Sequence, residues 1–473
     1  MSLSESERKK VIRARQLWEA GKVDEAWDIV RPLMVEHPHH PDLLQMAGVI
    51  YEKSGNMPVA YHMFRRGVEV DPHEANSWVN LGRVAEELWR TEEAEKAYER
   101  AMKLVKRPET LRILLGNLAA LCIDNARYSE AEKWSRQALE KFPDFDLAKS
   151  NLGFAQLAQR NWAEGWKNYR HCIGTTSRTK INYRGEPEWD GSPGRKVVLY
   201  GEQGLGDEIS FASMVPDAIR DCKKVIIDCD LRLAGLFARS FPEATVYGTR
   251  QNKSHDCSMW NPADRDFDCS LPIGQIGEYY RTSEASFPGT PYLVPDPDRV
   301  TMWKALFAEK KKPVIGIAWN GGIPKTGQRF KKWTLEQMLP VFRSIDAHWV
   351  SLEYKPSGAE IEAFRKKHPD IDLKEYPHAT LTNDYDNTAA MVKALDLIFC
   401  TQTAVAHLGG AMGVPTMVCV PPISQWRYGG DGDSIPWYRS VKVKRGGNWD
   451  FAALGEEVAA HFGRVPGTAK KAA

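Results

Sequence analysis

The chain has 473 residues, 42% hydrophobic and 27% charged, which is too long for one core and ordinary for a folded protein of two or three domains. A formal net charge of +2 excludes any bulk-charge argument for a nucleic-acid or anionic-membrane partner. The polar opening MSLSESERKK does not read as a secretory signal, and the apolar runs are strand-sized, so no membrane span is expected. Eight cysteines without a C-x-x-C pair read as reduced thiols of a cytoplasmic protein, with no structural zinc.

Ala26, Ala60 and Ala94 stand 34 residues apart, the period of a helical-hairpin array. Five units align on this spacing, beginning near Glu7, Pro41, Ala75, Arg112 and Asp146. Small residues (Gly48, Gly82, Ala101) allow close helix approach, aromatics (Phe64, Trp78, Tyr98) fill the space between hairpins, and Pro38, Pro72 and Pro143 end helices. One hairpin cannot bury its own apolar face, so such units stack into a solenoid. The pattern resembles tetratricopeptide repeats over residues 7–178, which implies a protein or peptide partner in the groove; a purely internal scaffold is the plainer alternative.

Residues 179–195, rich in glycine and proline, read as a linker. The rhythm then changes to β-α alternation, which predicts parallel sheets covered by helices. Strands are expected at 196–200, 224–229 and 244–248, with helices at 207–220 and 231–240. A loop-rich stretch covers 249–298. Beyond it, strands are expected at 313–319, 348–353, 396–400 and 415–420, and helices at 333–345, 358–367, 387–395, 403–412 and 450–461. Two α/β blocks, 196–298 and 299–465, imply two lobes with a cleft between them.

Four segments fall where strands end, the place where open α/β sheets bind ligands. GEQGLGDE (201–208) has Gly204 and Gly206 in a tight turn opening a helix, and Asp207 is placed either to take a proton from a hydroxyl or to cap that helix. TQTAVAHLGGAMGVP (401–415) offers Thr403, Ala404 and His407 at a helix start, suited to a diphosphate; His407 alone also fits a core histidine. WNGGIPKTGQRFKKW (319–333) is a basic loop with Lys325, Arg329, Lys331 and Lys332, able to neutralise a leaving group or simply to face water. SLEYKPSG (351–358) places Glu353 to accept ribose hydroxyls and Lys355 near a phosphate. D-C-D at 228–230 reads as a cap rather than a metal site, and Trp426, Arg427 and Tyr428 either cover the cleft or pack the last helix.

EWDGSPGRKVVLYGEQGLGDEISFAS (188–213), RLAGLFARSFP (232–242), NTAAMVKALDLI (387–398), TAVAHLGGAMGVP and IPWY together resemble bacterial tetratricopeptide-repeat glycosyltransferases, whose catalytic part is similar to heptosyltransferases. The resemblance implies a GT-B fold, two Rossmann-like lobes after the repeats, and hence an α plus α/β protein. It implies a nucleotide-sugar donor, a metal-independent reaction without cofactor, Asp207 as base, Lys331 on the donor phosphate, Glu353 on the nucleotide side, and Thr403, Ala404 and His407 at the diphosphate. Gln402 departs from the family's aspartate: an amide carries no charge and is no base, but hydrogen-bonds a sugar hydroxyl. The basic loop also departs from the family's usual run. The expected acceptor is a protein held by the repeats, such as a surface or flagellar protein. A glycan or lipid-linked saccharide acceptor, or a non-catalytic scaffold, are the alternatives.

Overall fold

Helical hairpins built on one small-against-large contact open the chain. The computed structural model describes residues 3–175, 178–250, 257–322 and 327–463. Lys325 of the basic loop and the end of the expected second lobe at residue 465 lie outside them. Ten α-helices precede the first strand among the described residues: α1 (Glu5–Glu19), α2 (Val23–Glu36), α3 (Pro41–Lys53), α4 (Met57–Val70), α5 (Ala75–Glu87), α6 (Thr91–Leu104), α7 (Pro108–Asp124), α8 (Tyr128–Lys141), α9 (Asp146–Ala158) and α10 (Trp162–Tyr169). A Cβ on Gly48 would lie 2.5 Å from the Phe64 ring, and one on Gly82 2.4 Å from Tyr98. The ring of each second helix therefore lies flat on the glycine of the first, and any side chain there would expel it. The period lengthens after Ala94 because α7 has 17 residues where α3 and α5 have 13.

The turn inside each hairpin passes through left-handed backbone, at Gly21 (φ 77°), Gly55 (79°), Trp89 (58°), Ala126 (56°) and Arg160 (62°). Glycine takes this conformation without steric cost. In the last three units a Cβ is forced into it, at about 1–2 kcal/mol each, so stacking overrides local preference there. Met1–Leu152 forms one compact unit and Gly153–Ala473 another, the division falling inside α9. The first unit carries a groove of 880 Å³, lined by Arg15 and Trp18 of α1, Gln45 and Val49 of α3, and Asn76 and Asn80 of α5.

In the second unit the strands are β1 (Lys196–Tyr200), β2 (Lys224–Asp228), β3 (Thr245–Tyr247), β4 (Cys269–Pro272), β5 (Val314–Ala318), β6 (His348–Ser351), β7 (Leu373–Glu375), β8 (Leu397–Thr401), β9 (Thr416–Val420), β10 (Ser434–Ile435) and β11 (Tyr438–Arg445). They form a four-stranded sheet, order β3-β2-β1-β4, and a seven-stranded sheet, order β10-β11-β9-β8-β5-β6-β7. Every pairing is parallel except β10 with β11. The chain thus joins a helical repeat region to a region of parallel and mixed sheets. The inner strands are apolar along their length, as strands covered on both faces must be. Ile315, Trp319, Phe342, Trp349, Leu397 and Phe399 belong to the core of the larger sheet.

Three expectations change. The helix expected at 207–220 is two helices, α11 (Leu205–Ala212) and α12 (Val215–Asp221), because Pro216 lacks an N–H and its ring would meet the carbonyl of Ala212. The loop-rich middle contains β4, paired with β1 and wholly buried; four residues ending in Pro272 show no period to read. Residues 179–195 are packed rather than a free linker: Ile181 and Trp189 are buried, and Trp189 N–H donates to the Ser270 carbonyl (3.0 Å). The remaining helices are α13 (Ala234–Ser240), α14 (Gly277–Tyr280), α15 (Pro297–Ala308), α16 (Leu339–Ser344), α17 (Gly358–Lys367), α18 (Pro377–Thr380), α19 (Tyr385–Lys393), α20 (Ala404–Ala411) and α21 (Phe451–His461).

Candidate functional site

Two strand-to-helix turns, one from each sheet, meet at a cavity of 130 Å³. The first turn joins β1 to α11. A Cβ on Gly201 would lie 2.3 Å from the Glu208 carboxyl carbon, so any larger residue there would displace that carboxylate. The adjacent carboxylates diverge as helix geometry requires. Glu208 turns inward, where burial raises its pKa to about 8 against the opposing effects of Arg250 and the Asp230 N–H. Asp207 faces the cavity. Its Oδ2 accepts from the Gly204 N–H (3.0 Å), so the capping role is real, and its other oxygen pairs with Arg427.

The second turn joins β8 to α20. Thr403 caps α20, its hydroxyl accepting from the Val405 N–H (3.1 Å). Gly206 makes the meeting possible: a Cβ there would stand 3.2 Å from Ala404 Cα and 3.2 Å from His407 Cδ2. Gln402, Thr403, Ala404 and His407 all line the cavity, as do Gly206 and Lys331. Gln402 is buried, and among the described residues neither its amide nitrogen nor its amide oxygen has a hydrogen-bond partner. An unsatisfied buried amide costs about 1–3 kcal/mol, which favours a ligand able to give and accept a hydrogen bond there.

His407 is a neutral ring. Burial, with the charge of Arg427, holds its pKa well below the usual histidine range. Nδ1 lies 2.9 Å from Ser210 Oγ and Nε2 3.1 Å from the Tyr428 hydroxyl. It can relay a hydrogen bond, but it brings no positive charge.

Among the described basic residues of the loop, Lys331 is buried, whereas Arg329 and Lys332 are exposed. The Gly321 N–H donates to the Lys331 carbonyl (2.9 Å), and a Cβ on Gly321 would lie 2.4 Å from the Gln402 carbonyl oxygen, so the loop base is pressed against the second turn. Burial, then the Arg427 charge, lowers the Lys331 pKa from 10.5 to about 8. The unfolded chain holds this proton up to about pH 10.5 and the folded chain only to about pH 8. The burial penalty is therefore full below pH 8 and relaxes as pH rises through that window. Binding through the ammonium follows the opposite course. An anion held through this ammonium should bind more weakly above pH 8, by at most about tenfold per unit, and the slope should vanish in Lys331→Met; calorimetry at pH 7, 8 and 9 measures both.

Glu353 is not at the cavity. Its Oε1 accepts from the Trp319 N–H (2.7 Å) and the Asn320 N–H (2.9 Å), and burial raises its pKa. It fixes the point where β5 turns into the basic loop. Lys355 is exposed beside Tyr354 and does not line the cavity. The D-C-D carboxylates have different partners: Asp228 accepts from the Tyr183 hydroxyl and from Thr249, while Asp230 caps the next turn and pairs with Arg232.

The sequence left the role of the segment after β9 open. Gln425, Arg427 and Tyr428 line the cavity, with Arg427 buried and its guanidinium 5.4 Å from the centre of the Phe211 ring. The signal was the aromatic pair flanking Arg427, which buries it only once β9 is set beside β8.

A tetratricopeptide-repeat family model matches residues 73–144. The helical hairpins of that stretch match tetratricopeptide repeats. Protein FlbA of Caulobacter vibrioides is 28% identical over 347 residues, 70% of this chain and 56% of FlbA. That span exceeds what the repeats alone supply, so the similarity reaches into the α/β unit. The DnaJ homolog subfamily C member 7 homolog of Dictyostelium discoideum is 24% identical over 173 residues, 34% of this chain and 32% of that protein. The chain thus spans little more than half of one of these relatives and a third of the other. Among solved structures, Pseudomonas aeruginosa pilF shows a TM-score of 0.33 at 16% identity (35% of this chain, 75% of that one). YrrB, described as a TPR protein with an unusual peptide-binding site, shows 0.28 at 16% (34% and 82%). No helix of the described residues is long and apolar enough to cross a membrane.

Proposed function

We propose that the chain is a glycosyltransferase of GT-B architecture that moves a sugar from a nucleotide-sugar donor to an acceptor hydroxyl, with the repeats presenting a protein that carries it. The observation that carries this reading is the cavity between the two turns, where one carboxylate, two cations and an unsatisfied amide converge. In the proposed step the acceptor oxygen attacks the anomeric carbon, Asp207 takes its proton, and the bond to the diphosphate breaks. Lys331 and Arg427 stabilise the charge that develops on the leaving group. Gln402 is placed to hold a sugar hydroxyl. At 130 Å³ the cavity is below the roughly 300–1,000 Å³ that encloses a small ligand. It suits a diphosphate, and the rest of the donor requires the two turns to part.

A second reading, a scaffold that keeps this fold without turnover, is favoured by Gln402 and by the engagement of both Asp207 oxygens. Thermal shift with a panel of nucleotide sugars, followed by intact-mass measurement of co-expressed candidate acceptors, separates the two. A donor at about 100 times its Kd stabilises by ~2.7 kcal/mol, and transfer adds a sugar-sized mass. A shift without any adduct supports the scaffold; neither one removes the proposal.

A further inference from the structure

Arg427 lines the cavity and is already paired with the expected base. Its guanidinium is buried, bonded to Asp207 and to Gln425 Oε1 (2.6 Å), and its Nε–H is buried without a partner among the described residues. Asp207 has its other oxygen on the Gly204 N–H. Each Asp207 oxygen keeps a further lone pair, but an acceptor hydroxyl reaches Oδ1 only beside the guanidinium while Arg427 stays where it is. The pair also links the two sheets, since Asp207 follows β1 and Arg427 follows β9.

The remaining space holds about four waters' volume. A diphosphate entering it would lie against Arg427, Lys331 and the start of α20, and would compete with Asp207 for the same guanidinium. Planar guanidinium prefers the bidentate fork a phosphate offers, and its unused Nε–H completes that fork.

We propose that Arg427 is a positioning residue shared between two anions, Asp207 in the free protein and the donor's diphosphate in the complex, so that donor binding itself uncovers the base. The proposal rests on the glycosyltransferase reading for the identity of the anion. The exchange needs no covalent step: one ion pair breaks, another forms, and the bridge between the two sheets is released with it. Base and leaving-group site then become competent in a fixed order, donor before acceptor.

A double-mutant cycle tests it, with inorganic pyrophosphate as probe and calorimetry at one salt concentration. Asp207→Asn removes the competitor and should tighten pyrophosphate binding about tenfold. Arg427→Gln should weaken it about tenfold. In the Arg427→Gln background Asp207→Asn should change the affinity less than twofold, whereas a mere through-space charge effect would tighten it equally in both backgrounds. Arg427→Lys keeps a cation at the position and should preserve the coupling, which covers the case in which the glutamine variant does not fold. Equal tightening in both backgrounds overturns the exchange and leaves the anion site standing. Absence of pyrophosphate binding by wild type and by Asp207→Asn overturns the exchange together with the diphosphate reading of the cavity.

Discussion

Asp207→Asn should lower the transfer rate by about 10²- to 10⁴-fold, the usual contribution of a positioned general base. Donor binding should be kept or tightened. The asparagine oxygen still accepts from the Gly204 N–H, so the start of α11 is held as before. The melting temperature should fall, because buried Arg427 loses its counter-charge, and pyrophosphate should restore it. Rates are measured below the melting range by intact mass of the acceptor. An asparagine variant that transfers at the wild-type rate would remove Asp207 as the base while leaving the phosphate contacts untouched.

The second large effect lies away from the cavity. Arg178→Ala should destabilise the α/β unit by about 3–5 kcal/mol, the range for removing one partner of a buried ion pair. Arg178 bonds Glu202 through Nε (3.0 Å) and Nη2 (2.8 Å), with both side chains at most 1% exposed. Nη1 bonds Gln275 Oε1 (2.9 Å), and the guanidinium lies 4.3 Å from the centre of the Tyr169 ring. One residue thereby ties α10, the β1 turn and the segment after β4. Without it the Glu202 carboxylate is buried with no counter-charge. Adding Glu202→Gln to Arg178→Ala should recover part of the loss, because a buried amide costs less than a buried charge. Urea unfolding of both variants, read at equal slope, gives the difference. Equal stability of Arg178→Ala and wild type would mean that the pair contributes nothing net.

The Arg178 pair also shows where reading the chain reaches its end. The glycines and prolines of 179–195 read as a linker, yet nothing local says that Ile181 and Trp189 are buried there. Local pattern foretold the 34-residue array, because each hairpin solves the same packing problem with the same residues. It foretold β1, β2, β5, β8 and β9, because a strand covered on both faces must be apolar throughout. It pointed to Asp207 and the Thr403–His407 turn, because a strand end followed by a helix start is a chemical address visible in one dimension; Lys331 and Gln402 were singled out by the family resemblance. β4, β7, β10 and β11 escaped, being short or rich in polar residues, since strands of that kind exist only by virtue of a neighbour to pair with.

What depended on the folded arrangement was partnership. Whether a carboxylate faces a cavity or a guanidinium, whether a histidine is charged, and whether a lysine is buried all turn on residues distant in the chain. Asp207 acquires Arg427, His407 acquires Ser210, and Glu353 is spent on two backbone N–H groups; burial and electrostatics act through space, and sequence order carries no record of that distance.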